Sequence, residues 1–225
     1  MFEHLRPLLT QKITVQRRDE AQQDSQWQSV PITVREAFNI QETQEAAFFT
    51  GAAEALAHFH PERVQDKFKK KMSLESTPLP CSFIPIASIP EAEGGLYALS
   101  KDIIGFCAFG YVKLGMRIDK PETQLVAIKI QHPVSPREGG ERRQRMVREG
   151  KIGFSYGFFL HPIHTRKYAG KEGVEKYYYI SRYAGITLCQ WQQDYQPSTE
   201  RRLEVAIHIC QLIGILHQKG YAFAF

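Results

Sequence analysis

Apolar residues recur near helical spacing from Thr33 to about Phe59, through Ala37, Phe38, Ile40, Ala46, Ala47, Phe49, Ala53, Leu56 and Ala57. Thr33 followed three residues on by Glu36 is a capping-box pattern, so the segment predicts one or two helices packed on a core. Upstream, Met1 to about Val30 alternates polar and apolar groups around Ile13-Thr14-Val15 and carries Gln22, Gln23, Gln26 and Gln28. It predicts a short helix or arm and then a loop. Pro78, Pro80, Pro85 and Pro90 forbid a regular helix between Leu79 and Ile89, and Gly94-Gly95 frees the backbone. A linker is expected there, with a domain boundary near Gly95.

Beyond Gly95 the period shortens to that of strands. Leu96 to Leu99 with Ile103-Ile104, then Tyr111 to Leu114, then Gln124 to Gln131 predict three strands, with a turn at Asp119 to Glu122. Ser135 to Gly140 breaks the pattern, and Glu141 to about Tyr156 predicts a charged helix with Met146, Glu149, Ile152, Gly153 and Tyr156 on one face. A strand near Thr165 to Tyr168, a turn at Gly170 to Gly173 and the aromatic strand Tyr177 to Ile180 follow. Thr187 caps a short helix carrying Leu188 and Trp191. Pro197-Ser198-Thr199-Glu200 opens a long one, with Leu203, Ala206, Ile207, Cys210, Ile213, Gly214 and Leu216 apolar and Gly220 at its end. The expected organisation is a helical extension and Pro-rich linker over 1–95, a sheet-plus-helix lobe over 96–183, and a further helical segment over 184–225.

Composition narrows the class of protein. In 225 residues, 43% hydrophobic and 24% charged side chains are ordinary for a folded soluble domain. A net charge of +5 permits a phosphorylated or acidic partner without requiring one. The four cysteines stand singly, without zinc-type spacing, and read as reduced thiols of a cytosol-like compartment. His58 with His60, and His161 with His164, lack the thiol or carboxylate neighbours of a metal site. Charges interrupt the first thirty residues, so no secretory signal is expected, and no transmembrane segment either; the expected location is cytoplasmic. The basic runs Lys67 to Lys71 and Arg142 to Lys151 leave open a nucleic-acid or anionic-membrane surface, disfavoured because interleaved aromatics are sparse.

The candidate chemistry lies between Ile104 and Lys129. Glycines and an aromatic at a tight turn let backbone amides approach an anion, and an apolar strand then delivers one ammonium. Gly105-Phe106-Cys107-Ala108-Phe109-Gly110-Tyr111-Val112 resembles the protein kinase glycine-rich loop, G-x-G-x-F-G-x-V, and Val126-Ala127-Ile128-Lys129 is identical to the family's V-A-I-K. Glu149 stands twenty positions after Lys129, about where the family's helix glutamate pairs with that lysine. His161-Pro162-Ile163 resembles the turn after that helix, Ile180 to Gly185 the hinge, and Leu216 to Ala222 the run into the catalytic loop.

The resemblance covers roughly Leu96 to Ala222. It implies an α+β fold with a kinase-like small lobe, a five-stranded antiparallel sheet plus one helix, followed by a hinge and the first helix of a larger lobe. It implies ATP as ligand, with Mg²⁺ held only through the nucleotide. Lys129 would neutralise the α- and β-phosphates and Glu149 would orient it. Ile104, Gly105, Cys107, Phe109, Gly110 and Val112 would cover the nucleotide, and Ala127 would admit the adenine. The Ser181 carbonyl and Tyr183 amide would bond the adenine edge, with Ile180 limiting the pocket. Cys107 replaces the middle glycine of the loop, and where the family continues with H-R-D and D-F-G this chain reads Phe223-Ala224-Phe225. The expectation is therefore a truncated nucleotide-binding lobe inactive in phosphoryl transfer. The alternative is a pseudokinase-type module whose 199–218 helix is covered by a protein partner.

Overall fold

A computed structural model describes residues 2–18, 27–62, 81–107, 109–120, 125–132, 139–167 and 175–221. The run Lys67 to Lys71, most of the Gln-rich patch, and residues 121–124, 133–138, 168–174 and 222–225 lie outside the described residues. The chain divides into two compact units, Met1–Ala184 and Gly185–Phe225.

The first unit is α+β, built on an antiparallel sheet. Its strands are β1 (Lys12–Arg18), β2 (Trp27–Thr33), β3 (Ser82–Ile86), β4 (Gly95–Cys107), β5 (Gly110–Arg117), β6 (Leu125–Gln131), β7 (Phe159–Lys167) and β8 (Glu175–Arg182). They form one eight-stranded sheet in the order β2-β1-β4-β5-β6-β8-β7, with β3 paired beside β4. Short helices α1 (Arg6–Leu9) and α2 (Val34–Ala37), and α3 (Glu45–Ala57), come from the N-terminal part. Helix α4 (Gly139–Ser155) is inserted between β6 and β7.

The N-terminal residues depart from the sequence expectation. Instead of an arm and loop, Ile13 and Val15 turn inward from β1, Ile32 does so from β2, and the two strands pair along their whole length. Where a linker was expected, β3 runs Ser82-Phe83-Ile84-Pro85-Ile86 against Gly95 to Leu99. Pro85 is tolerated because β3 has β4 on one side only, so its missing N–H interrupts no second ladder. The five strands β4, β5, β6, β8 and β7 are thus extended by three more, and no unit boundary falls at Gly95. The physical cause is a shared core. Leu5, Leu9, Val15, Val34, Phe38, Ile40 and Phe48 are buried with Phe83, Leu96, Ala98, Leu114, Met116 and Leu125 of the sheet.

Capping follows the pattern in the sequence. Thr33 caps α2, with its Oγ1 accepting from the Glu36 amide at 3.2 Å while Glu36 Oε2 accepts from the Thr33 amide at 2.6 Å. The opposite sheet face carries a second core of Ile84, Ile86, Tyr97, Leu99, Val126, Ile128, Ile130, Tyr178 and Ile180. Helix α4 packs through Met146 on Tyr177 and Tyr179, and any Cβ at Gly153 would collide with the Phe159 ring.

The second unit holds α5 (Leu188–Tyr195), capped by Thr187 and Gln190, and α6 (Thr199–Gln218), capped by Ser198. Gly220 follows α6 at φ +79°, the left-handed conformation that closes a helix. No helix among the described residues is long and apolar enough to cross a membrane.

The shared core makes a direct prediction. Phe48, fully buried with its ring 6.2 Å from that of Phe83, belongs to the N-terminal part, yet Phe48→Ala is expected to destabilise the whole first unit. The expected loss is about 3–5 kcal/mol. Urea unfolding followed at the sheet checks it, and a sheet transition unchanged by the substitution would show that residues 1–95 fold apart.

Candidate functional site

The geometry of the site follows from cross-strand pairing. In an antiparallel sheet, directly opposed residues share a face, and successive residues alternate between faces. Lys129 of β6 lies opposite Val112 of β5 and Tyr179 of β8. Ala127 lies opposite Leu114 and Ser181, and Val112 lies opposite Gly105 of β4. Gly105, Val112, Ala127, Lys129, Tyr179 and Ser181 therefore line one face of the sheet.

Both ends of that face are covered. At one end the N-terminal core packs on Leu96, Ala98, Leu114, Met116 and Leu125. At the other, α4 packs on Tyr177 and Tyr179. Between them Ile104, Gly105, Val112, Ala127, Lys129 and Ser181 form a half-buried strip.

Lys129 is held from two sides. Its Nζ donates to Glu149 Oε1 of α4 at 2.7 Å and lies 5.4 Å from the centre of the Tyr179 ring. The pair is only partly screened from water, with 27% of the Lys129 side chain and 41% of the Glu149 side chain exposed. Tyr179 also anchors the helix, since its hydroxyl donates to the Met146 carbonyl at 2.9 Å, one turn before Glu149. Burial first, and the nearby Glu149 carboxylate second, push the Tyr179 phenol well above the ordinary tyrosine range, so it stays a donor.

The glycine-rich hairpin closes tightly, with Cys107 opposite Gly110 and Phe106 opposite Tyr111. Phe106 and Phe109 are about half exposed, and the Cys107 side chain lies outside the described residues. Positive φ, the property that favours glycine in a turn, occurs among described glycines at Gly157, Gly185 and Gly220, not at Gly105 or Gly110. Gly110 has a different reason: a Cβ there would collide with the Ile130 carbonyl oxygen of β6. Gly105 has neither reason. A Cβ on it would meet only Val112, at an ordinary 3.8 Å, so the chain's own packing does not demand glycine there.

Four sequence expectations change. Ile180 is 1% exposed and lies opposite Ile128, on the face away from Lys129, so it limits no pocket there. Tyr179 and Ser181 occupy the Lys129 face in its place. The Tyr183 amide donates to the Leu125 carbonyl at 2.9 Å, and Ser181, two residues back, faces Ala127 at the next hydrogen-bonded pair of that ladder. Both backbone groups assigned to an adenine edge are therefore taken up by β6, while the backbone groups of Arg182 face the other way. Burial raises the pKa of the Tyr183 phenol and the nearby Thr14 backbone of the N-terminal hairpin opposes that shift, a proximity that no motif announces. Finally, His161-Pro162 is not a turn but part of β7, with Pro162 at the register shift between His161 and His164 on an edge strand. His161 is buried, and its Nε2 lies 3.1 Å from the Ala87 carbonyl oxygen.

Among the described residues no three His, Cys, Asp or Glu side chains gather where a metal ion could be held. An ion pair this open contributes little to folding, so Glu149→Gln is expected to change unfolding stability by less than about 1 kcal/mol. Tyr179→Ala, which empties a packed position beneath α4, is expected to lose about 3–5 kcal/mol. Paired denaturant titrations compare the two, and a Glu149→Gln loss as large as that of Tyr179→Ala would make the pair a structural brace. Comparison with known proteins finds no matching family model, no matching curated protein and no matching solved structure.

Proposed function

We propose that residues 96–183 form a nucleotide-binding lobe of protein-kinase type, with ATP as its ligand. The observation that carries this reading is the Lys129–Glu149 pair. It joins the middle of the sheet to an inserted helix, at the centre of a half-buried strip lined by Gly105, Val112 and Ala127. A lysine so placed is a fixed positive charge beside an open surface, suited to a polyphosphate. The order β4-β5-β6-β8-β7 with one helix inserted after β6 supports it, being a five-stranded antiparallel sheet with a helix after the third strand.

In this reading the phosphates lie between Lys129 and the hairpin Gly105 to Gly110, and Glu149 holds the ammonium in place. Gly105 leaves space where any side chain would project towards the strip. Ile104, Val112 and Ala127 offer an apolar surface to the base. Its polar edge meets the Arg182 carbonyl and the Ala184 amide, because Ser181 and Tyr183 are committed to β6. Mg²⁺ enters only with the nucleotide.

A second reading, a module that docks a protein partner, is favoured by α6. Leu203 and Ile207, one turn apart, are 60% and 48% exposed.

A thermal-shift titration with ATP discriminates. At a hundredfold excess over Kd, binding is expected to stabilise wild type by about 2.7 kcal/mol, and Lys129→Ala is expected to abolish the shift. Identical behaviour of the two proteins would sink the nucleotide reading and leave the docking module standing. Phosphate transfer by these 225 residues is not expected, because they contain no H-R-D or D-F-G segment. Transfer from labelled ATP that disappears in Lys129→Met would overturn that expectation.

A further inference from the structure

Strand β4 changes neighbours halfway along its outer edge. Its first part, Gly95 to Leu99, pairs with β3, and farther on Ile103 pairs with Gln16 of β1. At the handover its register against β5 shifts. It does so twice: from Leu99 opposite Gly115 to Ile103 opposite Lys113 four steps along β4 match two along β5, and from Ile103 to Gly105 opposite Val112 two steps match one. The two extra residues of the first shift leave the facing of side chains unchanged, and the single extra residue of the second reverses it. Continued regularly from Ala98, β4 would turn Gly105 away from Lys129; the second shift, between Ile103 and Gly105, turns it towards Lys129.

The first bulge, between Leu99 and Ile103, is tied down from several directions. Lys113 Nζ donates to the Ser100 carbonyl at 3.0 Å and to the Lys101 carbonyl at 2.8 Å. Ser100, 1% exposed, donates from its hydroxyl to the Asp102 carbonyl at 2.8 Å and accepts from the Leu114 amide at 3.1 Å. Arg17 of β1 donates to Asp102 Oδ2 at 2.8 Å. Burial lowers the Lys113 pKa, with Asp102 opposing that shift, as suits an ammonium spent on main-chain carbonyls rather than on water.

We propose that Lys113 is a positioning residue for the glycine-rich hairpin: by holding the bulge between Leu99 and Ile103 it fixes Ile103 opposite itself and so sets where the following one-residue shift turns Gly105 towards Lys129, and through Asp102 it couples that hairpin to the N-terminal strands. This rests on the nucleotide reading for its ligand, but the aiming of the hairpin is a property of the chain itself. Lys113 touches no phosphate. It governs phosphate binding through the hairpin and leaves the base surface alone.

The test uses the full chain with two readouts. Amide hydrogen exchange is measured without ligand, and affinities for ATP and for adenosine are measured by calorimetry. Lys113→Met is expected to speed exchange over Gly105 to Tyr111 by about tenfold, because two carbonyls lose a charged donor. ATP affinity is expected to fall by about tenfold with adenosine affinity changed less than about twofold. Lys113→Arg, which keeps the donors, is expected to restore most of both. Asp102→Asn removes the charge that holds Arg17 and attracts Lys113, and is expected to shift both readouts in the same direction by about two- to threefold. Wild-type exchange over 105–111 in Lys113→Met and Asp102→Asn would overturn the proposal, as would an acceleration spread evenly over the sheet. Equal losses for ATP and adenosine would overturn it as well. Should wild type bind neither ligand, the nucleotide reading falls, and exchange alone decides the role of the bulge.

Discussion

Period-two alternation along β6 is the constraint on which the other features depend. Val126, Ile128 and Ile130 point into the core on one face, while Ala127 and Lys129 point to the other. A slip of one residue would bury the Lys129 ammonium among isoleucines, which costs several kcal/mol without a partner, and expose three β-branched side chains. The register is therefore held by the core, and Lys129 comes to the open face as a consequence. Each neighbour inherits that register: Val112 and Tyr179 stand opposite Lys129, and Leu114 and Ser181 stand opposite Ala127.

Helix α4 completes the arrangement from one side. Three contacts hold it close to the sheet: Met146 among Tyr177 and Tyr179, the Tyr179 hydroxyl on the Met146 carbonyl, and Gly153 against Phe159. None of these involves charge. The ion pair is laid on a helix already fixed by packing, which is why a partly exposed pair keeps a short geometry while contributing little to stability. On the other side the N-terminal hairpin and helices do comparable work. They fill the far end of the same face, pack against Tyr183, and reach the bulge of β4 through Arg17. The site is bounded by two bodies of structure, one on either side of the strip.

Legibility in the sequence varied with the range of the interaction involved. The capping box at Thr33 and Glu36, the long α6 with Gly220 beyond it, and the strands around Val112 and Lys129 rest on residues within one or two turns of each other. Those were readable. The strands β1 and β3 were not, because each needs a partner far away in sequence: Ile13-Thr14-Val15 is too short to declare a strand, and Pro85 argues against one unless the strand lies at an edge. The hinge went astray for a related reason. A run such as Tyr178-Tyr179-Ile180-Ser181 shows that side chains alternate but not which of them face Lys129, and Ile180 fell on the wrong side.

By itself the sequence determined an α+β chain with strands before and after one charged helix, the candidate lysine and glutamate, and the glycines of the hairpin. Those features are set by side-chain period, turn chemistry and spacing, all local quantities. Tertiary structure alone decided that β1, β2 and β3 join the sheet, that Tyr179 and Ser181 rather than Ile180 share the face of Lys129, and that a one-residue shift of β4 between Ile103 and Gly105 turns Gly105 towards that face. Register and face are relations between strands distant along the chain. They are fixed by which core closes around which side chains, and no window of neighbouring residues contains that information.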